Sequence, residues 1–293
     1  MLAGYEVSRI GYGAMQLPGR GVWGPPRDRN EALNVLRRAV ELGINHIDTA
    51  QYYGDGISNE LIHSALYPYP KDLVLVSKVG GARNENGGWI PAQRPEQLRS
   101  GVEANLLSLS VEQVNVVNLR LMDAMHDGKP VPKEYLVSLE DQLAEMVKLR
   151  DEGKIGGIGL SNIKVDQLRQ ALPAGIACVQ NSYSVLDRSG EPLLELCKAN
   201  DIAWVPFFPL GSAFPGIAKV QDAPVVINIA SKIEATPAQV GLAWLLAHAP
   251  NILLIPGTSS LVHLEENTAA GNVKLDNESM EILNRLADGA SIS

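Results

Sequence analysis

Cysteine and positive charge are both scarce in this chain of 293 residues, and each shortage excludes something. Two cysteines, Cys178 and Cys197, cannot staple a secreted fold, and neither has a partner at metal-ligand spacing. They read as small core residues in a reduced, cytoplasmic protein. Lysine and arginine number 25 against 33 aspartates and glutamates, a net charge of −8, which argues against a nucleic-acid partner because phosphate binding calls for a basic patch. The start, Met-Leu-Ala-Gly-Tyr-Glu, has no basic region followed by an apolar stretch, so no signal peptide is expected. One stretch, 237–256, is mostly apolar, but His248, Pro250 and Asn251 interrupt it. It reads as a buried helix, a turn and a buried strand, with no membrane partner. His46, His63, His126 and His248 are scattered without helical metal spacing, so no metal is expected.

What the chain does have is alternation. Strand-like apolar runs occupy 10–13, 44–48, 73–78, 114–120, 155–160, 176–180, 202–207 and 252–256. Most are apolar on both faces, as parallel strands covered on both sides are. Helical patterns fall between them at 30–42, 58–66, 95–108, 136–149, 163–171, 191–199, 224–234 and 277–287. Leu136, Leu139, Leu143, Met146 and Leu149 recur at helical spacing before the stop signal Gly153, and Thr236-Pro237-Ala238-Gln239 is a capping-box start. Eight strands with intervening helices, and no linker or repeat, predict a single (β/α)₈ barrel over 1–293; an open doubly wound sheet is the alternative. Irregular stretches at 17–28, 80–94 and 208–223 each follow a strand, so on a barrel all three overhang the active face.

The residues at the strand ends carry chemistry: Asp48, Lys78, Arg120, Ser161-Asn162, Gln180, Phe207 and Gly257-Thr258. Parallel barrels build their active sites there. Tyr53 lies just past Asp48, before Gly54 and Asp55, so it is expected at a turn near solvent. A phenol beside an ammonium is expected to have a lowered pKa, which suits a proton donor. Plainer readings stand beside these. Asp48 and Lys78 can be a buried ion pair, Tyr52 and Tyr53 can be packing aromatics, and Ser161-Asn162 can cap a helix. Gly156, Gly157 and Gly159 lie inside a strand and not in a turn opening a helix, so they read as close-packing residues and not as a dinucleotide fingerprint. The run 255–260 places glycine and hydroxyls before the segment 261–267, which suits either an anion or a simply capped helix.

Taken in order, these residues resemble the aldo-keto reductase superfamily. The matching runs are Gly-Ile-Asn-His-Ile-Asp-Thr-Ala-Gln-Tyr-Tyr-Gly at 43–54, Val-Ser-Lys at 76–78, Gly-Leu-Ser-Asn at 159–162, Val-Gln-Asn at 179–181, Pro-Phe-Phe-Pro-Leu-Gly at 206–211 and Ile-Pro-Gly-Thr-Ser at 255–259, with Glu266-Asn267. The resemblance implies a barrel, a nicotinamide cofactor (usually NADPH) held without a Rossmann fold, and reduction of a small carbonyl compound. It implies Tyr53 as proton donor with Asp48 and Lys78 tuning it. It implies Ser161, Asn162 and Gln180 on the carboxamide, Phe207 against the nicotinamide ring, and Gly13, Ala14 and Met15 beside the cofactor. Pro209, Leu210, Gly211 and Ser212 would follow the pyrophosphate. Gly257, Thr258, Ser259, His263, Glu266 and Asn267 would take the adenosine end. Trp23, Trp89, Tyr53 and Arg120 would face the substrate.

Two positions depart from the family pattern. The fourth strand ends in Arg120 where a histidine is usual; arginine stays charged, so it can polarise a carbonyl or clamp an anionic oxygen but cannot relay a proton. His263 stands where an arginine that grips the 2′-phosphate is common. The runs at 9–17, 24–29, 65–69, 115–120 and 205–211 look like a bacterial subgroup that includes pyridoxal reductases, which makes pyridoxal a candidate substrate. Two other readings compete: a redox-sensing subunit that binds the cofactor without turnover, and a barrel enzyme for sugar phosphates. The triad Asp48, Tyr53 and Lys78 favours the reductase.

Overall fold

Valine- and isoleucine-rich runs too short for helices become the staves of a parallel barrel. In the computed structural model, which describes residues 1–122, 130–212 and 216–288, the strands are β1 (Tyr12–Gly13), β2 (His46–Asp48), β3 (Val74–Arg83), β4 (Trp89–Ala92), β5 (Val114–Arg120), β6 (Ile155–Ser161), β7 (Ile176–Gln180) and β8 (Ala203–Trp204). All but β4 pair in parallel, in the order β1-β2-β3-β5-β6-β7-β8. The segment 252–254 closes the ring, bridging Trp204 through Ile252 and Ile10 through Leu254. The barrel expected from the alternation is thus present, with its first and last staves reduced to short pairings.

One expectation needs correcting. Residues 80–94 are not an irregular loop: β3 runs on to Arg83 and β4 folds back on it, pairing Gly80 with Ala92 and Arg83 with Trp89. Gly80-Gly81-Ala82-Arg83 contains no apolar run, so its strand is not marked by the sequence pattern.

The helices are α1 (Arg29–Glu41), α2 (Ile57–Leu66), α3 (Pro95–Leu109), α4 (Leu139–Asp151), α5 (Val165–Ala171), α6 (Glu191–Ala199), α7 (Pro224–Lys232), α8 (Pro237–His248), α9 (Leu261–Ala269) and α10 (Asn277–Asn284). Side chains cap several starts: Asp28 for α1, Ser138 for α4, Thr236 for α8, Ser260 for α9 and Asp276 for α10. Each satisfies amide groups that the helix itself leaves open. Their apolar faces and the outer faces of the strands form one large core, while Val74, Val76, Val116, Cys178, Ala203, Val205, Leu253 and Ile255 fill the barrel interior. Leu2, in a short N-terminal hairpin with Tyr5, joins that interior cluster and plugs its lower end. Gly159 has the packing role read from the sequence, since a Cβ there would fall 2.1 Å from Asn118 Oδ1 and 2.7 Å from Cys178 Sγ.

Candidate active site

At the C-terminal ends of β2 and β7 and midway along β3, a carboxylate, an amide and an ammonium meet inside the barrel. Lys78 Nζ donates to Asp48 Oδ1 and, at 3.0 Å, to the Thr49 carbonyl. Gln180 Nε2 donates to Asp48 Oδ2 at 2.6 Å. Both charges are buried, with 4% of each side chain exposed. Two charges can be held there because each has the other and a further hydrogen bond; either alone would bear a large desolvation cost. The Asp48–Lys78 ion pair of the plainer reading therefore exists, and it forms part of a cavity wall.

Tyr53 stands on the same wall, its ring centroid 4.9 Å from Lys78 Nζ. Two expectations about it fail. It is buried, at 6% exposure, because it packs with Val22, Ala50 and Tyr52 under the loop at 17–28. Its phenol is also pushed above its ordinary range, chiefly by that burial and then by Asp48; Arg120 and Arg83 pull it down. Lys78 does not offset the burial because its charge is spent on Asp48 beneath the ring. A protonated phenol is the form that a proton donor needs.

Arg83 was not singled out in the sequence, yet it ties three segments of the mouth together. Its guanidinium donates to the carbonyls of Tyr52 at 3.2 Å, Gly87 at 2.7 Å and Val22 at 2.8 Å. It lies 3.4 Å from the Trp89 ring centroid and 5.7 Å from that of Trp23. Trp89 lines the cavity and meets Tyr52 edge-on, but Trp23 braces Arg83 from outside and does not line it. A cation six residues before a tryptophan, on a hairpin, was the available signal.

Arg120 faces the cavity, with Nη1 donating to Ser161 Oγ at 3.1 Å and its guanidinium 5.4 Å from the centre of the Phe207 ring. Asp123 and Asp127, the acids closest to Arg120 in the sequence after it, lie outside the described residues, as does His126. Ser161 is wholly buried beneath Arg120 and does not line the cavity. Asn162 does line it, in the left-handed region at φ 59°, anchored by Nδ2 to the Leu121 carbonyl at 2.8 Å. Met122 and Ile217, which belong to no motif in the sequence, add apolar wall.

This cavity, of about 640 Å³, continues into a second of about 370 Å³ through walls shared at Gln16, Leu210, Gly211 and Gly257. Gly13 and Gly257 make the floor of the passage: a Cβ on Gly257 would fall 2.6 Å from the Gly13 carbonyl oxygen. Gly13, Met15 and Pro209 line the first cavity, whereas Ala14 faces the core. Ser212, Thr258, His263, Glu266 and Asn267 line the second, together with Lys219 and the start of α8; Ser259 does not. The long groove suits an extended ligand with a polar end in each cavity. Gln180 Oε1, buried and without a hydrogen-bond partner, fits the amide N–H of a nicotinamide carboxamide. Among the described residues no three His, Cys, Asp or Glu side chains gather to hold a metal ion, and no helix is long and apolar enough to cross a membrane.

The model of the Aldo/keto reductase family matches residues 9–288. Pyridoxine 4-dehydrogenase of Escherichia coli is 45% identical over 96% of both chains. An NADH-specific methylglyoxal reductase of the same organism is 26% identical over 96% of this chain and 95% of its own. Among solved structures, the thermostable aldo-keto reductase Tm1743, in complex with the inhibitor epalrestat, superposes with a TM-score of 0.80 at 30% identity, covering 98% of each chain. An aldo/keto reductase from Klebsiella pneumoniae, in complex with NADP and acetate, does so with a TM-score of 0.77 at 25% identity, covering 97% of this chain and 93% of that one.

Proposed function

The chain belongs to the aldo/keto reductase family, and from that premise we propose that it reduces a small aromatic aldehyde to the alcohol with NADPH, pyridoxal being the candidate substrate. The observation that carries the reading is the meeting of Asp48, Lys78, Tyr53 and Arg120 on one cavity wall, beside the unsatisfied acceptor of Gln180. The nicotinamide cofactor supplies the hydride. Gln180 Oε1 and Asn162 would hold its carboxamide, with Phe207 beside the ring. Tyr53, Trp89 and Met122 line the same cavity and would bound the space left for the substrate. Tyr53, whose hydroxyl has no hydrogen-bond partner among the described residues, gives its proton to the carbonyl oxygen as negative charge develops there. Asp48 fixes Lys78 under the Tyr53 ring, so that proton transfer needs no rearrangement of the buried pair.

Arg120 supports the choice of substrate. It is a cation on the cavity wall whose hydrogen bond among the described residues is to a neutral hydroxyl, so it favours an aldehyde carrying an ionised oxygen nearby. Pyridoxal has its phenolic oxygen next to the aldehyde. The kinship with a pyridoxine 4-dehydrogenase at 45% identity points to the same alcohol–aldehyde pair. The test is the loss of NADPH absorbance with a panel of aldehydes. Turnover should be fastest with pyridoxal or an aromatic aldehyde bearing a neighbouring phenolate. No turnover with any aldehyde, despite cofactor binding, would instead support a sensing role.

A further inference from the structure

The second cavity raises the question of what distinguishes NADPH from NADH here, since His263 replaces the usual arginine and a relative at 26% identity is named NADH-specific. We propose that Lys219, on the segment after β8, is the cation that recognises the adenosine 2′-phosphate. The inference rests on the cofactor reading above.

Lys219 lines the second cavity together with His263, Glu266 and the first turn of α8. Among the described residues it has no ion-pair partner, and it is the one lysine or arginine among them that lines this cavity, whereas several cations elsewhere on the surface are paired. Arg38 holds Glu265, Arg99 holds Glu152, and Lys154 holds Glu103. Its backbone is nevertheless fixed on both sides. Val220, the next residue, is fully buried; its amide donates to the Leu210 carbonyl at 3.1 Å and its side chain packs against Gly241 of α8. On the preceding side, Gly211 turns at φ 81°, and a Cβ there would fall 2.0 Å from the Ala218 carbonyl and 2.8 Å from Lys219 Cα. The ammonium is therefore a flexible head on a rigid base, facing a groove into which α9 also presents the amide end of its first turn.

The remaining side chains leave Lys219 as the decisive charge. Glu266 is a carboxylic acid side chain and a poor partner for a phosphate, and His263 offers a ring nitrogen where the family commonly has the permanent charge of an arginine. Ser212, Thr258 and Asn267 offer neutral hydrogen bonds that a ribose hydroxyl uses as well as a phosphate does. Only an unpaired cation separates the two cofactors strongly.

The test is calorimetric binding of NADPH, NADH, adenosine 2′,5′-bisphosphate and adenosine 5′-monophosphate to the native protein, Lys219→Met and Lys219→Arg. A hydrogen bond to a charged group corresponds to about tenfold or more in affinity. In the native protein NADPH should bind about tenfold or more tighter than NADH on that ground. Lys219→Met should lose that margin for NADPH and for the bisphosphate while leaving NADH and the monophosphate unchanged, and Lys219→Arg should keep it. Equal weakening of NADPH and NADH by Lys219→Met, or no weakening of either, would overturn the assignment. Equal binding of both dinucleotides to the native protein would overturn it too while leaving the hydride-transfer reading standing. Failure to bind either dinucleotide would remove both.

Discussion

The two ends of the groove solve opposite problems. At the barrel end, Asp48, Lys78 and Gln180 are buried, and Lys78 and Gln180 both donate to Asp48, with Gln180 Oε1 left open. At the other end, Lys219 is exposed and unpaired among the described residues, and the cavity is lined by hydroxyls, amides and a histidine. A buried charge constellation is costly to assemble, so it is built into the fold, where chemistry gains from groups that need not reorganise. An exposed cation costs little to keep waiting, and its contribution appears only on binding. Reactivity and cofactor selectivity are thus separable in this molecule, and substitutions should separate them.

The largest effect is expected at the barrel end. Tyr53→Phe should lower kcat by about 10²–10⁴-fold, the usual contribution of a general acid, with cofactor affinity little changed. A variant with near-native kcat would dissociate the buried end from the chemistry. Next, Lys78→Met leaves Asp48 charged and buried with Gln180 alone, and breaking such a pair costs about 3–5 kcal/mol of stability. Denaturant titration should show that loss, and Lys78→Met with Asp48→Asn should recover part of it. Full stability in the single variant would mean that the pair is solvated and not fixed.

Acid should also act on the barrel and spare the open end. Burial pushes His46 down to about 4, so it stays neutral inside the fold. Unfolded, it takes up a proton near its ordinary value of about 6.5. The unfolded state therefore binds more protons between those limits, and stability falls as pH drops from about 6.5 towards 4. The loss from this residue approaches about 3 kcal/mol at 1.36 kcal/mol per pH unit. His46→Leu, if it folds, should flatten that part of the stability–pH curve; an unchanged slope would assign acid sensitivity elsewhere. The smallest of these effects concerns substrate choice. Arg120→His should reduce kcat/KM for pyridoxal about tenfold more than for a neutral aromatic aldehyde, the margin of one charged hydrogen bond. Equal losses would make Arg120 a structural residue beneath Phe207.

The barrel and the chemistry at its strand ends were legible because they repeat a simple pattern: an apolar run, a polar residue, a helix. Asp48, Lys78, Arg120 and Gln180 all sit where that pattern put them, and all four reach the cavity. Residues off the pattern were harder to see. Trp89 was expected in a loop, but the hairpin that holds it pairs Gly81 and Ala82 with Pro91 and Ile90, a mixture with no apolar run to find. Tyr53 was expected near solvent because it precedes Gly54 and Asp55; the cover comes from Val22, thirty residues away, which sequence periodicity cannot report. Its pKa was misjudged for the same reason, since burial and the spent charge of Lys78 are properties of packing. Lys219 carries no signal of its own, because an exposed lysine acquires meaning only from the groove it faces.

The central claim is that hydride passes to a carbonyl at the mouth lined by Tyr53 and Arg120. It is tested most directly by incubating the protein with pyridoxal and NADPH carrying deuterium at both nicotinamide C4 positions, and reading the product by mass spectrometry and NMR. The account predicts one deuterium on the carbinol carbon of the alcohol, and its near-complete absence with Tyr53→Phe over the same time. Alcohol formed without deuterium at that carbon, or no alcohol from a protein that binds NADPH and pyridoxal together, would contradict it.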